Sequence, residues 1–230
     1  MLNNKRISVL IPAFNEEKSI AQVIDELPPG LVDEVVVVDN GSTDATKEAA
    51  FRCGARVVEE KYRGYGSACL KGLVNMGTTD IVVVLDGDHS DYPEQITRLV
   101  GPIVAGEFDF VIGSRVLGRR EKGALTSQQC WGNKLAVFLI HRLFGYKFTD
   151  MGPFRAIRFE SLKSLKMTDK DFGWNVEMQI KAIKNGIRIK EVPVDYRRRI
   201  GISKISGTVP GVIMAGLKII FTIFKYAVMN

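Results

Sequence analysis

Two carboxylates one residue apart, Asp86-Gly87-Asp88, follow directly on an apolar run, Ile81-Val82-Val83-Val84-Leu85. Such a run reads as a strand buried on both faces of a parallel sheet, and the carboxyl ends of such strands are where open α/β sheets bind ligands. Anions this close repel unless a cation lies between them. A hard divalent ion holding a diphosphate, Mg²⁺ or Mn²⁺, meets that need with oxygen ligands; the bland alternative is helix capping and a turn. Other strand ends help to decide. One runs into Pro12-Ala13-Phe14-Asn15-Glu16-Glu17, where Pro12 halts the ladder and acids open the next helix. The next ends Val38-Asp39-Asn40-Gly41-Ser42-Thr43-Asp44. Gly41, Ser42 and Asp44 suit a turn and a cap, while Asp39, an anion leaving a buried strand, could receive a base N–H or a ribose hydroxyl. Three strand ends thus put acids or amides on one sheet edge, as in a nucleotide pocket. Neither G-x-G-x-x-G after the first strand nor G-x-x-x-x-G-K-[ST] is present, so diphosphate charge is left to a metal and to arginines.

Strands and helices alternate around these residues. Apolar runs at 7–11, 34–38, 56–58, 81–85 and 108–112 read as strands, with amphipathic helices at 17–27, 43–53, 67–76 and 93–105. This βα rhythm predicts a parallel sheet covered on both faces, and Gly54, Gly77 and Gly106 stand where helices stop. After Ser114 come a polar loop at 115–129, an apolar helix near 132–144, a short strand around 154–157, a helix at 175–184 and a strand near 188–194. The segment 196–208 carries Arg197, Arg198, Arg199 and Lys204 among glycines and serines.

With 230 residues the chain can bury a full core. Three cysteines without C-x-x-C spacing argue against a disulfide framework or zinc site and fit a reducing cytosol, and the first six residues lack a secretory apolar stretch. The net charge of +6 is unevenly spread: residues 181–230 carry ten Lys or Arg and two acids, a net of +8. Partners for that field are phosphates or anionic lipid headgroups; few aromatics are interleaved and no nucleic-acid motif is present, so nucleic acid is not expected. The tail, 209–229, is mostly apolar, with Lys218 and Lys225 seven apart. Spanning a bilayer would cost roughly 2.5–3.5 kcal/mol per lysine near its centre, whereas an in-plane amphipathic helix lets both lysines reach headgroups. Packing on the core or on a second copy of the chain is the third option.

Taken together, Ile11-Pro12-Ala13-Phe14-Asn15-Glu16, Val37-Val38-Asp39-Asn40-Gly41-Ser42-Thr43-Asp44, Arg63-Gly64-Tyr65-Gly66 and Leu85-Asp86-Gly87-Asp88 resemble the family 2 glycosyltransferases of GT-A fold. The likeness continues through Gly113-Ser114-Arg115, Asp150-Met151-Gly152-Pro153-Phe154-Arg155 and Phe172-Gly173-Trp174-Asn175-Val176-Glu177, and is nearest to the dolichyl- or polyprenyl-phosphate sugar synthases. It implies an α/β, GT-A-like, Rossmann-related and mostly parallel sheet over residues 1–207, with 208–230 as an amphipathic membrane-surface helix. The implied reaction moves a hexose with inversion from a UDP-glucose or GDP-mannose type donor to a polyprenyl phosphate, using Mg²⁺ or Mn²⁺, at the cytoplasmic face of the cell membrane. Pro12, Ala13, Asn15, Glu17, Asp39 and Gly64 would then serve the donor, Asp86 and Asp88 the metal and diphosphate, and Arg115 the acceptor phosphate. Arg197, Arg199 and Lys204 would cover the donor phosphates. The chain departs from the pattern at Ser90, where a glutamine ligand is common, leaving Asp91 or water to substitute. It departs again at Gln128-Gln129-Cys130-Trp131, where a basic residue is common, leaving Lys134 to compensate.

Most of the other candidate residues carry two readings. His89 is a metal ligand or an intervening side chain turned away; His141 reads as packing; Trp174 stacks on a sugar or prenyl group or is core. Glu177 serves the helix dipole or the acceptor, and Phe138, Phe144 and Phe148 form core or a prenyl groove. A diacylglycerol or soluble hydroxyl acceptor would need a carboxylate base, for which Asp150, Asp171 and Glu177 are candidates. The rivals outside enzymes are a non-catalytic nucleotide-binding protein of the same fold and a nucleic-acid binder drawn by the C-terminal charge.

Overall fold

The computed structural model describes residues 4–201 and 209–229. Seven strands, β1 (Ile7–Ala13), β2 (Glu34–Asp39), β3 (Arg56–Glu59), β4 (Ile81–Val84), β5 (Phe110–Ser114), β6 (Arg155–Arg158) and β7 (Ile189–Pro193), form one sheet in the order β3-β2-β1-β4-β6-β5-β7. All pairings are parallel except those of β6, which runs antiparallel between β4 and β5. The mostly parallel α/β expectation is met. The reversed strand was not readable from the run at 154–157, because so short a strand signal carries no direction.

Helices α1 (Ile20–Asp25), α2 (Thr46–Arg52) and α4 (Ile96–Val104) cover one face. The other face carries α3 (Tyr65–Asn75), α5 (Ser127–Phe144), α6 (Phe159–Ser164), α7 (Trp174–Lys184) and α8 (Val209–Val228). Strand side chains alternate between two cores: Ile7, Val9 and Ile11 of β1 join the first, and Leu10 the second. Because both faces are covered, the central strands carry long apolar stretches, 35–38 in β2 and Ile81–Val84 in β4, whereas β3, β6 and β7 include charged residues.

α5 begins five residues before the expected 132, at a capping box in which Thr126 accepts from the Gln129 N–H while the Gln129 side chain accepts from the Thr126 N–H. α8 turns Thr222, Ile223 and Tyr226 into the second core and leaves Met214, Leu217, Phe221 and Phe224 exposed. No described helix is long and apolar enough to cross a membrane. Lys225 is exposed, while Lys218 Nζ lies 3.0 Å from an Asp169 carboxylate oxygen.

Candidate active site

The chain runs outward from β1 to β2 on one side and to β4 on the other, so the crevice between β1 and β4 is the topological switch point of the sheet. A cavity of about 410 Å³ opens there, lined from β1 by Pro12, Ala13, Phe14 and Glu16 and from β4 by Asp86, Gly87 and Asp88. Its remaining wall is Asn40, Arg63, Gly64, Tyr65, Ala68, Asp171, Phe172 and Arg199.

Each wall has a local cause. Asn15, in the left-handed region at φ 54, donates its N–H to Ser42 Oγ (2.9 Å) and accepts from the Thr43 N–H (2.8 Å). That bond pair stitches the β1 exit to the β2 exit. Glu17 accepts from the Ala45 N–H and buried Asp39 from the Ser42 N–H, so these three residues shape the loops and stand outside the cavity lining. Asn40, and not its neighbour Asp39, lines the cavity: its amide donates to Glu60 O and Tyr62 O and accepts from the Gly64 N–H (2.8 Å), bringing the Arg63-Gly64-Tyr65 strip against the crevice. Gly64 is at φ +146, and a Cβ there would stand 2.2 Å from Lys170 O, so only glycine fits. The Arg63 guanidinium lies 3.7 Å from the Phe14 ring centroid.

The two acids differ. Asp88 Oδ1 accepts from the Ser90 N–H (3.0 Å) and hydroxyl, and Oδ2 faces Arg199 Nη1 at 3.0 Å. Asp86 Oδ1 is buried with no hydrogen-bond partner. Burial first and Asp88 second push the Asp86 carboxyl up to about 7, against the opposing pull of Arg199, Tyr65 and Arg115. An orphaned buried oxygen beside a second carboxylate is a hard-oxygen pair that fits Mg²⁺ or Mn²⁺, whose remaining positions are ordinarily filled by water and phosphate oxygens. Asp91 does not complete a ligand trio: no cluster of three acid, histidine or cysteine side chains among the described residues could hold a metal. Its two oxygens are buried without partners, and burial followed by Asp86 raises it well above the carboxylate range. His89, at φ 64, turns away and puts Nε2 2.8 Å from Glu26 Oε1.

Arg115 is 13% exposed, and its fork reaches buried Asp150 through Nε (2.7 Å) and Nη2 (2.8 Å), outside the cavity lining. Arg197 is held by Glu26, His89 O and Asp91 O and stacks on Tyr92, also outside it. Lys204 lies outside the described residues. Of the residues expected at the donor or metal, Pro12, Ala13, Gly64, Asp86, Asp88 and Arg199 therefore meet around one cavity. Phe14, Glu16, Arg63, Tyr65, Asp171 and Phe172 join them. Five of these six belong to the family motifs at 11–16, 63–66 and 172–177, and nothing in one dimension shows which of them face inward.

Trp174 and Glu177 are fully buried, so Trp174 is core. Glu177 gathers the Thr168 and Asp169 N–H groups, the Tyr226 hydroxyl and Lys181. Lys134 is exposed. The packing reading of His141 is corrected, since it is exposed; Phe148 is buried, Phe144 partly so, and Phe138 is 58% exposed.

The family model described as Glycosyl transferase family 2 matches residues 8–166. The chain belongs to this family. Glycosyltransferase AglJ of Haloferax volcanii is 32% identical over 194 residues, which span 84% of this chain and 63% of AglJ, so more than a third of that relative has no counterpart here. The dolichyl-phosphate hexose transferase of the same organism is 34% identical over 208 residues, 86% of each chain. Among solved structures, glucosyl-3-phosphoglycerate synthase from Mycobacterium tuberculosis, in complex with Mn²⁺, UDP-glucose and phosphoglyceric acid, superposes with a TM-score of 0.81 at 27% identity, over 99% of this chain and 81% of the other. The glycosyltransferase therefore has the GT-A architecture, with its β1–β4 crevice as the candidate donor site.

Proposed function

We propose that this glycosyltransferase moves a hexose from a UDP-glucose or GDP-mannose type donor to a polyprenyl phosphate, with inversion, on the cytoplasmic surface of a membrane. The likeness to a dolichyl-phosphate hexose transferase supports the acceptor class, and the Mn²⁺ and UDP-glucose in the glucosyl-3-phosphoglycerate synthase complex support the donor and cofactor classes. Residues 1–207 carry the chemistry and 208–230 the surface docking.

The donor lies in the β1–β4 crevice, its diphosphate toward Asp86, Asp88 and Arg199 and its nucleoside toward Pro12, Ala13 and Gly64. Bound there, Mg²⁺ or Mn²⁺ neutralises the charge that gathers on the departing nucleoside diphosphate. Asp86 and Asp88 would hold the ion. The acceptor phosphate is already an anionic nucleophile near neutral pH, so it needs positive charge to approach the diphosphate more than it needs a base. Arg199 and Arg115 supply that charge, and Asp150 fixes the Arg115 fork in one orientation. In-line attack on the face opposite the leaving group inverts the anomeric carbon.

The observation that carries the lipid reading is the apolar surface of α5 and α8. The two helices pack together and expose Trp131 (76%), Phe138 (58%), Leu217 (63%) and Phe221 (63%), with exposed Lys134, Arg142 and Lys225 on the same pair. Aromatic and aliphatic side chains fringed by cations suit the headgroup boundary of an anionic bilayer. A second reading, transfer to a soluble phosphorylated hydroxyl compound, draws on the phosphoglycerate in the solved complex and on Asp171. Asp171 lines the cavity and is raised by burial first and Asp169 second, whereas Asp150 and Glu177 are fully buried and engaged. Incubating labelled UDP-glucose or GDP-mannose with polyprenyl phosphate vesicles, and separately with 3-phosphoglycerate, decides between them. The expected product is an acid-labile glycosyl lipid; label found only in an acid-stable water-soluble glycoside would establish the second reading.

A further inference from the structure

Arg199 already supplies a cation to the acid pair. Its guanidinium bridges two carboxylates, with Nη1 3.0 Å from Asp88 Oδ2 and Nη2 2.9 Å from Glu16 Oε1. The residue is held there by the chain on both sides. The Arg197 N–H donates to Ser90 O (2.9 Å) and the Ile200 N–H to Asp88 O (3.0 Å), so the backbone around Arg199 runs along the D-x-D loop. Arg197 anchors this strip through Glu26 (2.5 Å), His89 O (2.7 Å) and Asp91 O (3.1 Å), with its guanidinium 4.3 Å from the Tyr92 ring centroid. Asp88 Oδ1 is meanwhile taken by the Ser90 N–H and hydroxyl. Oδ2 is the oxygen left for a cation, and Arg199 holds it.

We propose that Arg199 is a resident counter-cation, which a divalent ion must displace from Asp88. The inference rests on the reading of Asp86 and Asp88 as the metal carboxylates. A guanidinium and a divalent ion cannot share one carboxylate oxygen at contact distance without strong repulsion. Free metal therefore meets a closed site. A donor diphosphate changes the balance, because its oxygens match the planar guanidinium fork and give Arg199 a new partner as the ion takes Asp88. Metal and nucleotide accordingly strengthen each other's binding, each by the same factor. Arg199 is thus a positioning residue whose first act is to hold metal off until the substrate arrives.

The test is Mn²⁺ binding to the full chain, read from loss of the free-ion paramagnetic resonance signal, with no acceptor and no turnover. An ion pair buried to this degree lies between the exposed and buried cases, so Arg199→Gln is expected to bind Mn²⁺ roughly tenfold more tightly than the unaltered chain when nucleotide is absent. With UDP or GDP present the gap should close or reverse. Arg199→Lys, which keeps the charge but loses the fork, should show a smaller gain and gives the sign if the glutamine variant folds poorly. Arg198 donates to Glu121 and Lys122 O instead, through its N–H and Nε. Arg198→Gln is therefore expected to retain ordinary Mn²⁺ affinity. Equal Mn²⁺ affinity in the Arg199 variants and the unaltered chain, or an equal gain in Arg198→Gln, overturns the inference while leaving the metal reading intact. Absence of Mn²⁺ binding in every protein, with and without nucleotide, overturns both.

Discussion

Asp86 carries the tension of this site. A carboxyl that ordinarily ionises near 3.8 is pushed up to about 7 by burial and by Asp88, so between those values the folded chain keeps a proton that the unfolded chain has lost. Its stabilising contribution is complete below about 3.8 and disappears as pH rises through 7. Asparagine cannot lose that proton. In EDTA at pH 8, Asp86→Asn is expected to melt several degrees higher than the unaltered chain, taking roughly 2–4 °C per kcal/mol for a chain of this size. The difference should shrink towards pH 5, and scanning calorimetry at the two pH values measures it. The same variant should lose Mn²⁺-dependent donor binding, a trade expected where function requires an unfavourable arrangement.

At the scale of elements, the wall formed by residues 168–172 depends on Glu177. Its buried carboxylate receives the Asp169 N–H at 2.7 Å, the Thr168 N–H at 3.0 Å and the Tyr226 hydroxyl at 2.7 Å, joining the wall to α7 and α8. Lys170 O in turn accepts from the Ser67 N–H (2.8 Å) and lies against Gly64, so the wall clasps the start of α3 where Tyr65 faces the cavity. Glu177→Gln leaves the fold's apolar contacts in place but turns one acceptor oxygen into a donor facing donors. The cost is about 1–3 kcal/mol. Steady-state kinetics should show a several-fold rise in donor KM with a smaller fall in kcat; an unchanged KM would mean that the wall does not set the donor pocket. The βα repeat that carries α3 was legible because covered parallel strands leave apolar runs. The clasp was not, since it joins backbone atoms about a hundred residues apart.

For the whole molecule, charge and exposed apolar surface meet at α5 and α8. The C-terminal fifty residues hold a net +8 and α8 exposes Phe221 and Phe224, while its other side is anchored by Ile223, Tyr226 and the Lys218–Asp169 pair. Phe221→Glu with Phe224→Glu should abolish co-sedimentation with anionic vesicles and leave nucleotide binding in solution unchanged, because neither ring reaches the crevice. Unaltered sedimentation of that variant would remove membrane docking by this face. Binding of the unaltered chain should weaken as salt rises, by screening of headgroup charge.

The central strands, the acids at their carboxyl ends and the family could be read along the chain, because apolar runs, strand-end carboxylates and glycine turns are local signals. Folding was needed to show that β6 runs backwards, that Asn40 rather than Asp39 lines the crevice, and that Arg199 sits on Asp88. It also decided which apolar faces go inward. A helix that is apolar on two sides reads the same whether one side meets a core or the outside, so His141 and Phe138 look like packing residues in one dimension and are exposed in three. Burial and pairing are properties of what lies opposite, and no linear spacing records that.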